Sequence, residues 1–170
     1  MIRFGIKEDI FSLQEINRKW LWENLSQENR EFGFLICDEF TAEDFEKIID
    51  LQEIVVVVEK DTVVANYLFD NCSQTNSLKN YEKCIDGLTK DKKLKLSRLS
   101  KRAQIVIDKD FQRQGFYEKL VDFLHTNLRH KYDKVFSTVS KVNPKMTSHI
   151  KNGWTIVGED KENYFVTHDI

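Results

Sequence analysis

A chain of 170 residues has room for one domain of ordinary size and excludes a second full one; a domain of that length buries roughly 70% of its unfolded surface, enough for a core without covalent staples. Hydrophobic residues make up 41% and charged residues 32%, and 26 Lys+Arg stand against 28 Asp+Glu, so the net charge of −2 gives no field that favours nucleic acid or an anionic membrane. Cys37, Cys72 and Cys84 are odd in number and widely spaced, which argues against a disulfide framework or a zinc site and for reduced thiols; no metal is expected.

The N-terminus enters structured-looking sequence at once, with no apolar signal core, and no run is long enough to cross a bilayer, so a cytoplasmic, membrane-free protein is expected. Ile2 to Ile6 reads as a first strand. Ile10, Leu13, Ile16, Trp20 and Leu21 then recur at helical spacing through about Leu25. After the loop Phe32–Leu35, Thr41 is placed to cap a second helix that has Glu43 and Asp44 in its first turn, turns Phe45, Ile48 and Ile49 inward, and ends at Asp50. The β-branched run Ile54–Val58 suits a buried strand, and Lys60-Asp61 turns it into a second one, Val63–Phe69.

From Asn71 to about Arg102 the chain is polar and then basic, an insertion with a weak helical pattern around Leu78–Leu88. A solvated loop is favoured over a binding lid. Lys90, Lys92, Lys93, Lys95, Arg98, Lys101 and Arg102 crowd its second half. A nucleic-acid patch ranks low there, because no aromatic residues interleave the cations. The last third alternates strand and helix. Ala103–Ile107 is a strand, Gln112–Gly115 a tight turn, and Phe116 to about His130 a helix whose apolar stripe is Tyr117, Leu120, Val121, Leu124 and Leu128. Val135–Val139 is the next strand. Asn143-Pro144 reads as N-cap and first-turn proline of a helix stopped by Gly153, and Trp154–Val157 and Tyr164–Thr167 close the fold. These elements predict an α/β (α+β) domain with a mixed, mostly antiparallel sheet and helices on both faces.

A strand ending in Ile105-Val106-Ile107, a turn, and Gln112-Arg113-Gln114-Gly115-Phe116-Tyr117 opening a helix form an anion site. The first N–H groups of a helix lack intrahelical partners and sit at the positive end of its dipole, so a pyrophosphate can accept from several together. Gly115 lets the backbone come close; the bland alternative is a glycine that merely turns strand into helix.

Here the sequence resembles the GNAT superfamily of acetyl-CoA-dependent N-acetyltransferases, whose pyrophosphate loop reads Q/R-x-x-G-x-G/A: Gln112, Gly115 and Tyr117 fall on its three positions. Tyr117 replaces a small residue and either crowds the loop or sets its ring in the core behind; the second is favoured. Asn143 through Trp154, with His149 four residues before Gly153, is similar to the family's N…Y/H-x-x-x-G-F/W segment. The resemblance implies that the fourth and fifth strands splay, that acetyl-CoA is the cosubstrate, and that its pantetheine arm lies along Ile105–Ile107 like an added strand. It implies Arg113 near the phosphates, Asn143 as either a contact to the arm or a helix cap, and His149 as either the acid for the departing thiolate or a packing residue. No general base is evident: Ser137 and Thr138 are not carboxylates, and Asp108, Glu53 and Glu59 are candidates only by lying near strand ends. The expected reaction is acetyl transfer to an amine of a small molecule or protein, with a coenzyme A-binding sensor or scaffold as the alternative. Trp20, Trp22 and Phe34 line an acceptor pocket or, more commonly, a core. Oligomeric state is open, a homodimer being the commonest assembly.

Overall fold

The protein is described by a computed structural model covering residues 1–72, 81–90 and 93–170. Strands β1 (Ile2–Phe4), β2 (Ile54–Glu59), β3 (Thr62–Phe69) and β4 (Ala103–Ile107) form one antiparallel sheet in that spatial order. Strands β5 (Lys134–Ser140), β6 (Thr155–Glu159) and β7 (Asn163–Asp169) form a second, in which β7 lies between β5 and β6. The two-residue strand Leu99–Ser100 adds to the outer edge of β5, in parallel.

The β2–β3 hairpin is the core of the first sheet. Lys60 and Asp61 both take positive φ (49° and 63°), the two-residue turn whose twist matches that of the strands. Every residue from Ile54 to Val57 is fully buried because both faces are covered. On one face, Ile54 and Val56 pack with Leu13 of α1 (Ile10–Trp20) and with Phe45, Ile48 and Ile49 of α3 (Ala42–Asp50). On the other, Val55 and Val57 pack with Leu120, Val121, Leu124 and Leu128 of α5 (Phe116–Leu128). Thr41 caps α3 as expected, its hydroxyl accepting from the Asp44 N–H at 3.1 Å.

Three expectations change. Helix α1 stops at Trp20, not near Leu25, because Leu21 turns extended and pairs with Leu35; the Trp22 N–H donates to the Leu35 carbonyl at 2.9 Å. A four-residue helix, α2 (Gln27–Arg30), follows it. Asn143 is not an N-cap: its Oδ1 accepts from Lys145 N at 2.9 Å in a local turn, and α6 (Met146–Lys151) starts only after Lys145. The segment after Asn71 is no solvated loop where described, since α4 (Tyr81–Thr89) sets Ile85 among Leu99, Phe136 and Phe165 on the outer face of the second sheet. Leu78, in the predicted helix, and Lys92 lie outside the described residues. Arg98 pairs with Asp133 and donates to the carbonyls of Arg129 and His130, while Arg102 is turned inward beside Asp70.

His125, on the inner face of α5, is buried with its Nε2 2.9 Å from the Tyr67 hydroxyl and its ring 4.9 Å from that of His168. Burial, with His168 adding, pushes its pKa from 6.5 down to about 4. The unfolded chain therefore takes up a proton below 6.5 that the folded one refuses until near 4, so this contribution to stability is whole above 6.5 and is lost as pH falls toward 4. The melting temperature is expected to drop less between pH 7 and pH 5 in His125→Gln than in the parent; equal drops would show that His125 carries none of the acid sensitivity.

Candidate functional site

Strand β4 hydrogen-bonds to β3 along one edge only. The Asp108 N–H donates back to Val64 and the Arg102 carbonyl accepts from Asp70, so the even-numbered peptide groups of this strand face β3 and the odd-numbered ones face the other way. Along that other edge the Ala103 carbonyl accepts from the Ser137 hydroxyl of β5 at 2.8 Å, and the Ile107 carbonyl accepts from the Gln112 side chain at 3.1 Å. No ladder joins β4 to β5: they touch near Ala103 and Ser137 and part beyond it, which is the expected splay of the fourth and fifth strands. Ile105 and Ile107 therefore present main-chain groups to the gap. Val106, expected to do the same, turns its peptide to β3 and its side chain toward Trp20 and Phe34.

The gap is a cavity of about 420 Å³. One wall carries Trp20, Phe34, Cys37, Phe40 and Gln104; the other carries Tyr117, His149 and Trp154, with Ser137–Ser140 of β5 alongside. At its mouth the turn before α5 puts Arg113 at φ 63° and Gly115 at φ 72°, both left-handed. Such a conformation costs a non-glycine residue on the order of 1 kcal/mol or more, which singles out Arg113 as locally strained. Its reward is exposure of the backbone: the N–H groups of residues 113–118 donate to no acceptor among the described residues. A Cβ built on Gly115 would meet nothing within 4 Å, so the space in front of these donors is open. Donors, dipole and open space together suit a pyrophosphate.

The side chains around this turn divide the expected roles differently. Gln112 does not face the mouth: its Nε2 donates to the carbonyls of Phe32 and Ile107, and its Oε1 accepts from the Lys145 ammonium at 2.9 Å. It braces the turn. Gln114 is exposed and bonds back to the Asp110 carbonyl; Phe116 is half-buried against the core. Asn143 donates to the Phe34 carbonyl at 3.0 Å, and a Cβ on Gly33 would stand 2.9 Å from Lys145 Cγ, so the Phe32–Leu35 loop is pinned across the rim of the cavity. Lys145, missed in the sequence, lines the cavity with Arg113; burial and then Arg113 pull its pKa below the ordinary lysine value.

Tyr117 does not crowd the turn. Its ring lies behind it, its hydroxyl accepting from Trp154 Nε1 at 2.7 Å, and burial lifts its pKa to about 12. His149 sits 6.1 Å from the Tyr117 ring and 5.9 Å from that of Trp154, its Nδ1 buried without a partner. Burial pushes its pKa from 6.5 down to about 4, so at pH 7 it is a neutral imidazole. The three carboxylates considered as bases are all elsewhere. Glu53 is fully buried with Lys131 and Tyr132, Asp108 pairs with Lys19 at 2.6 Å, and Glu59 lies near the N-terminus. Carboxylates that do line the cavity are Asp70, beside Arg102, and Glu118, in the first turn of α5. Trp20 and Phe34 line it and belong to the core at once, whereas Trp22 is outside, 40% exposed under the Arg30 guanidinium. Among the described residues no group of side chains is arranged to hold a metal, and no helix is long and apolar enough to cross a membrane.

No protein-family model matches the sequence, and no curated protein does. Solved structures do match across the whole chain. An N-acetyltransferase, PaiA, from Thermoplasma acidophilum in complex with coenzyme A superposes with a TM-score of 0.64 at 12% identity, over 100% of this chain and 98% of its own. A ribosomal-protein-alanine N-acetyltransferase from Brucella melitensis gives 0.63 at 12%, over 100% and 99%. A GNAT-family acetyltransferase from Listeria monocytogenes gives 0.63 at 13%, over 100% and 94%. Identities this low speak for architecture, and the architecture, with its antiparallel strands, covering helices and splayed pair, is the fold of the GNAT-family N-acetyltransferases.

Proposed function

We propose that this chain transfers an acetyl group from acetyl-CoA directly to a primary amine. The observation that carries the reading is the run of free backbone N–H groups at residues 113–118, set at the mouth of a cavity between two diverging strand edges. Pyrophosphate is bound by those N–H groups, with Arg113 and Lys145 supplying positive charge. The amides of the pantetheine arm pair with the peptide groups of Ile105 and with the N–H of Ile107, whose carbonyl is already held by Gln112. Coenzyme A has the two features such a site selects: a negatively charged pyrophosphate and a long arm with amides spaced along it.

Holding thioester and amine together in one cavity supplies much of the rate, because encounter and orientation are settled on binding. The amine nitrogen bonds to the thioester carbonyl carbon, the carbon–sulfur bond breaks, the nitrogen's surplus proton leaves through water, and the thiolate takes a proton. No cavity carboxylate is free of a competing role, since Asp70 neighbours Arg102 and Glu118 stands at the phosphate end, so a water chain to the open mouth is the route assigned to the amine proton. His149 acts as a neutral hydrogen-bonding group, not as an imidazolium. Coenzyme A binding without turnover is the alternative; the missing carboxylate base speaks for it, while Tyr117, its ring behind the turn, does not.

Gly115→Glu is expected to abolish acetyl-CoA binding in calorimetry, while Gly115→Ala, which bears the same left-handed φ but adds no charge and meets no neighbour, weakens it by about tenfold or less. Equal, undiminished binding by both would remove the proposed site. His149→Ala is expected to lower kcat more than acetyl-CoA affinity, and the parent's kcat is expected to show no inflection between pH 5.5 and 7.5 that the variant lacks, because His149 is deprotonated throughout. An inflection near 6.5 that vanishes in the variant would restore an imidazolium role.

A further inference from the structure

Gln104 stands in the middle of β4, 8% exposed, on the wall of the cavity, and its Nε2 has no hydrogen-bond partner. An amide nitrogen left unpaired in a buried place costs about 1–3 kcal/mol, and side chains normally rotate to avoid it. Here rotation is blocked by a relay that starts at a group of fixed polarity. The Phe40 backbone N–H can only donate, and it donates to Asn17 Oδ1 at 3.1 Å. That sets the Asn17 amide, whose Nδ2 points at Cys37 Sγ at 4.0 Å. With a donor already on its sulfur, Cys37 gives its own S–H to Gln104 Oε1 at 3.2 Å. Burial holds that thiol protonated, its pKa lifted to about 11. Oε1 is thereby occupied, and Nε2 is the unspent donor of a residue that lines the cavity. Flipping the amide would set an N–H against a thiol already approached by one.

A second donor stands on the same wall. Trp20, 4% exposed, lines the cavity with its Nε1–H buried and unpartnered; it packs on Val106, which follows Gln104 on the same face of β4. Both orphan groups can donate.

From this we infer that Gln104, oriented by the Asn17–Cys37 relay and seconded by Trp20, determines acceptor specificity by donating to an oxygen, so that the acceptor is an amine carrying a carbonyl or carboxylate a few bonds from its nitrogen. The inference rests on the acyltransferase reading for the amine's fate, but the oxygen-binding wall exists with or without turnover. Cys37 is a positioning residue in this scheme, one hydrogen bond behind Gln104.

The test reads binding and turnover separately. In ¹H–¹⁵N spectra of the full chain, glycine and glycinamide are expected to move the Trp20 indole and Gln104 side-chain resonances, and propylamine at the same concentration is expected to leave them in place. Glycine stronger than glycinamide assigns a carboxylate; the reverse order assigns a neutral carbonyl. In turnover with acetyl-CoA, an oxygen-bearing amine is expected to exceed its plain alkyl counterpart in kcat/KM by about tenfold or more, and Gln104→Leu to erase that ratio while calorimetry shows acetyl-CoA affinity unchanged. Cys37→Ser, which keeps a donor for Oε1, is expected to preserve the ratio that Cys37→Ala reduces. Resonances moved equally by all three amines, or a preference that survives Gln104→Leu, would overturn the inference. Loss of acetyl-CoA binding in the parent would instead strike at the acyltransferase reading and leave the resonance test standing.

Discussion

One stretch of chain changes partners, and the site follows from that. Leu99–Ser100 pairs in parallel with β5, and within three residues the same chain has crossed to pair antiparallel with β3 as β4. A strand that leaves one sheet for another cannot satisfy both, so beyond Ala103 an edge of β4 and an edge of β5 face each other unbonded. Buried peptide groups without partners are costly, and a fold keeps such an edge open only where something else can complete it. The Ser137–Ala103 contact fixes the apex of the gap.

The rest of the architecture holds that gap at a fixed width. Helix α5 backs both sheets, burying Leu120, Leu124 and Leu128 against β2 and β3 while Val135, Val139 and Val166 of the second sheet join the same cluster. Across the mouth, the Phe32–Leu35 loop is tied to Gln112 and Asn143. The two ends of the cavity then differ in chemistry. Its mouth offers backbone donors and two cations to an anion; the rest of its lining mixes apolar side chains with Asp70 beside Arg102 and with the orphan donors of Gln104 and Trp20. His149, Tyr117 and Trp154 form a desolvated floor in which a histidine stays neutral and a tyrosine stays protonated at pH 7.

Periodicity made the framework legible. The run Ile54–Val58, the Lys60-Asp61 turn and the stripe on α5 each point to one local structure, and they formed it. Gln112–Tyr117 was legible as a turn with exposed N–H groups because backbone geometry follows from glycine and from a strand giving way to a helix. What the side chains of that turn do was not: Gln112 reaches the carbonyls of Phe32 and Ile107 across 80 and 5 residues of sequence. Burial-driven effects were equally hidden, since the pKa of His149 depends on the rings around it. Lys145 carried no signal. Gln104 carried a faint one, a lone amide in the apolar strand Ala103–Ile107, whose meaning depends on Cys37 and Asn17 arriving from elsewhere.

The central claim is that the unbonded edge of β4 and the turn after it are completed by coenzyme A. Amide hydrogen exchange, followed residue by residue with and without coenzyme A, addresses this directly. The account predicts that Ile105, Ile107 and residues 113–118 exchange freely in the bare protein and become protected on addition, while Val106, already bonded to β3, changes little. Protection that spreads evenly over residues 105–107, or that leaves 113–118 untouched, would contradict it.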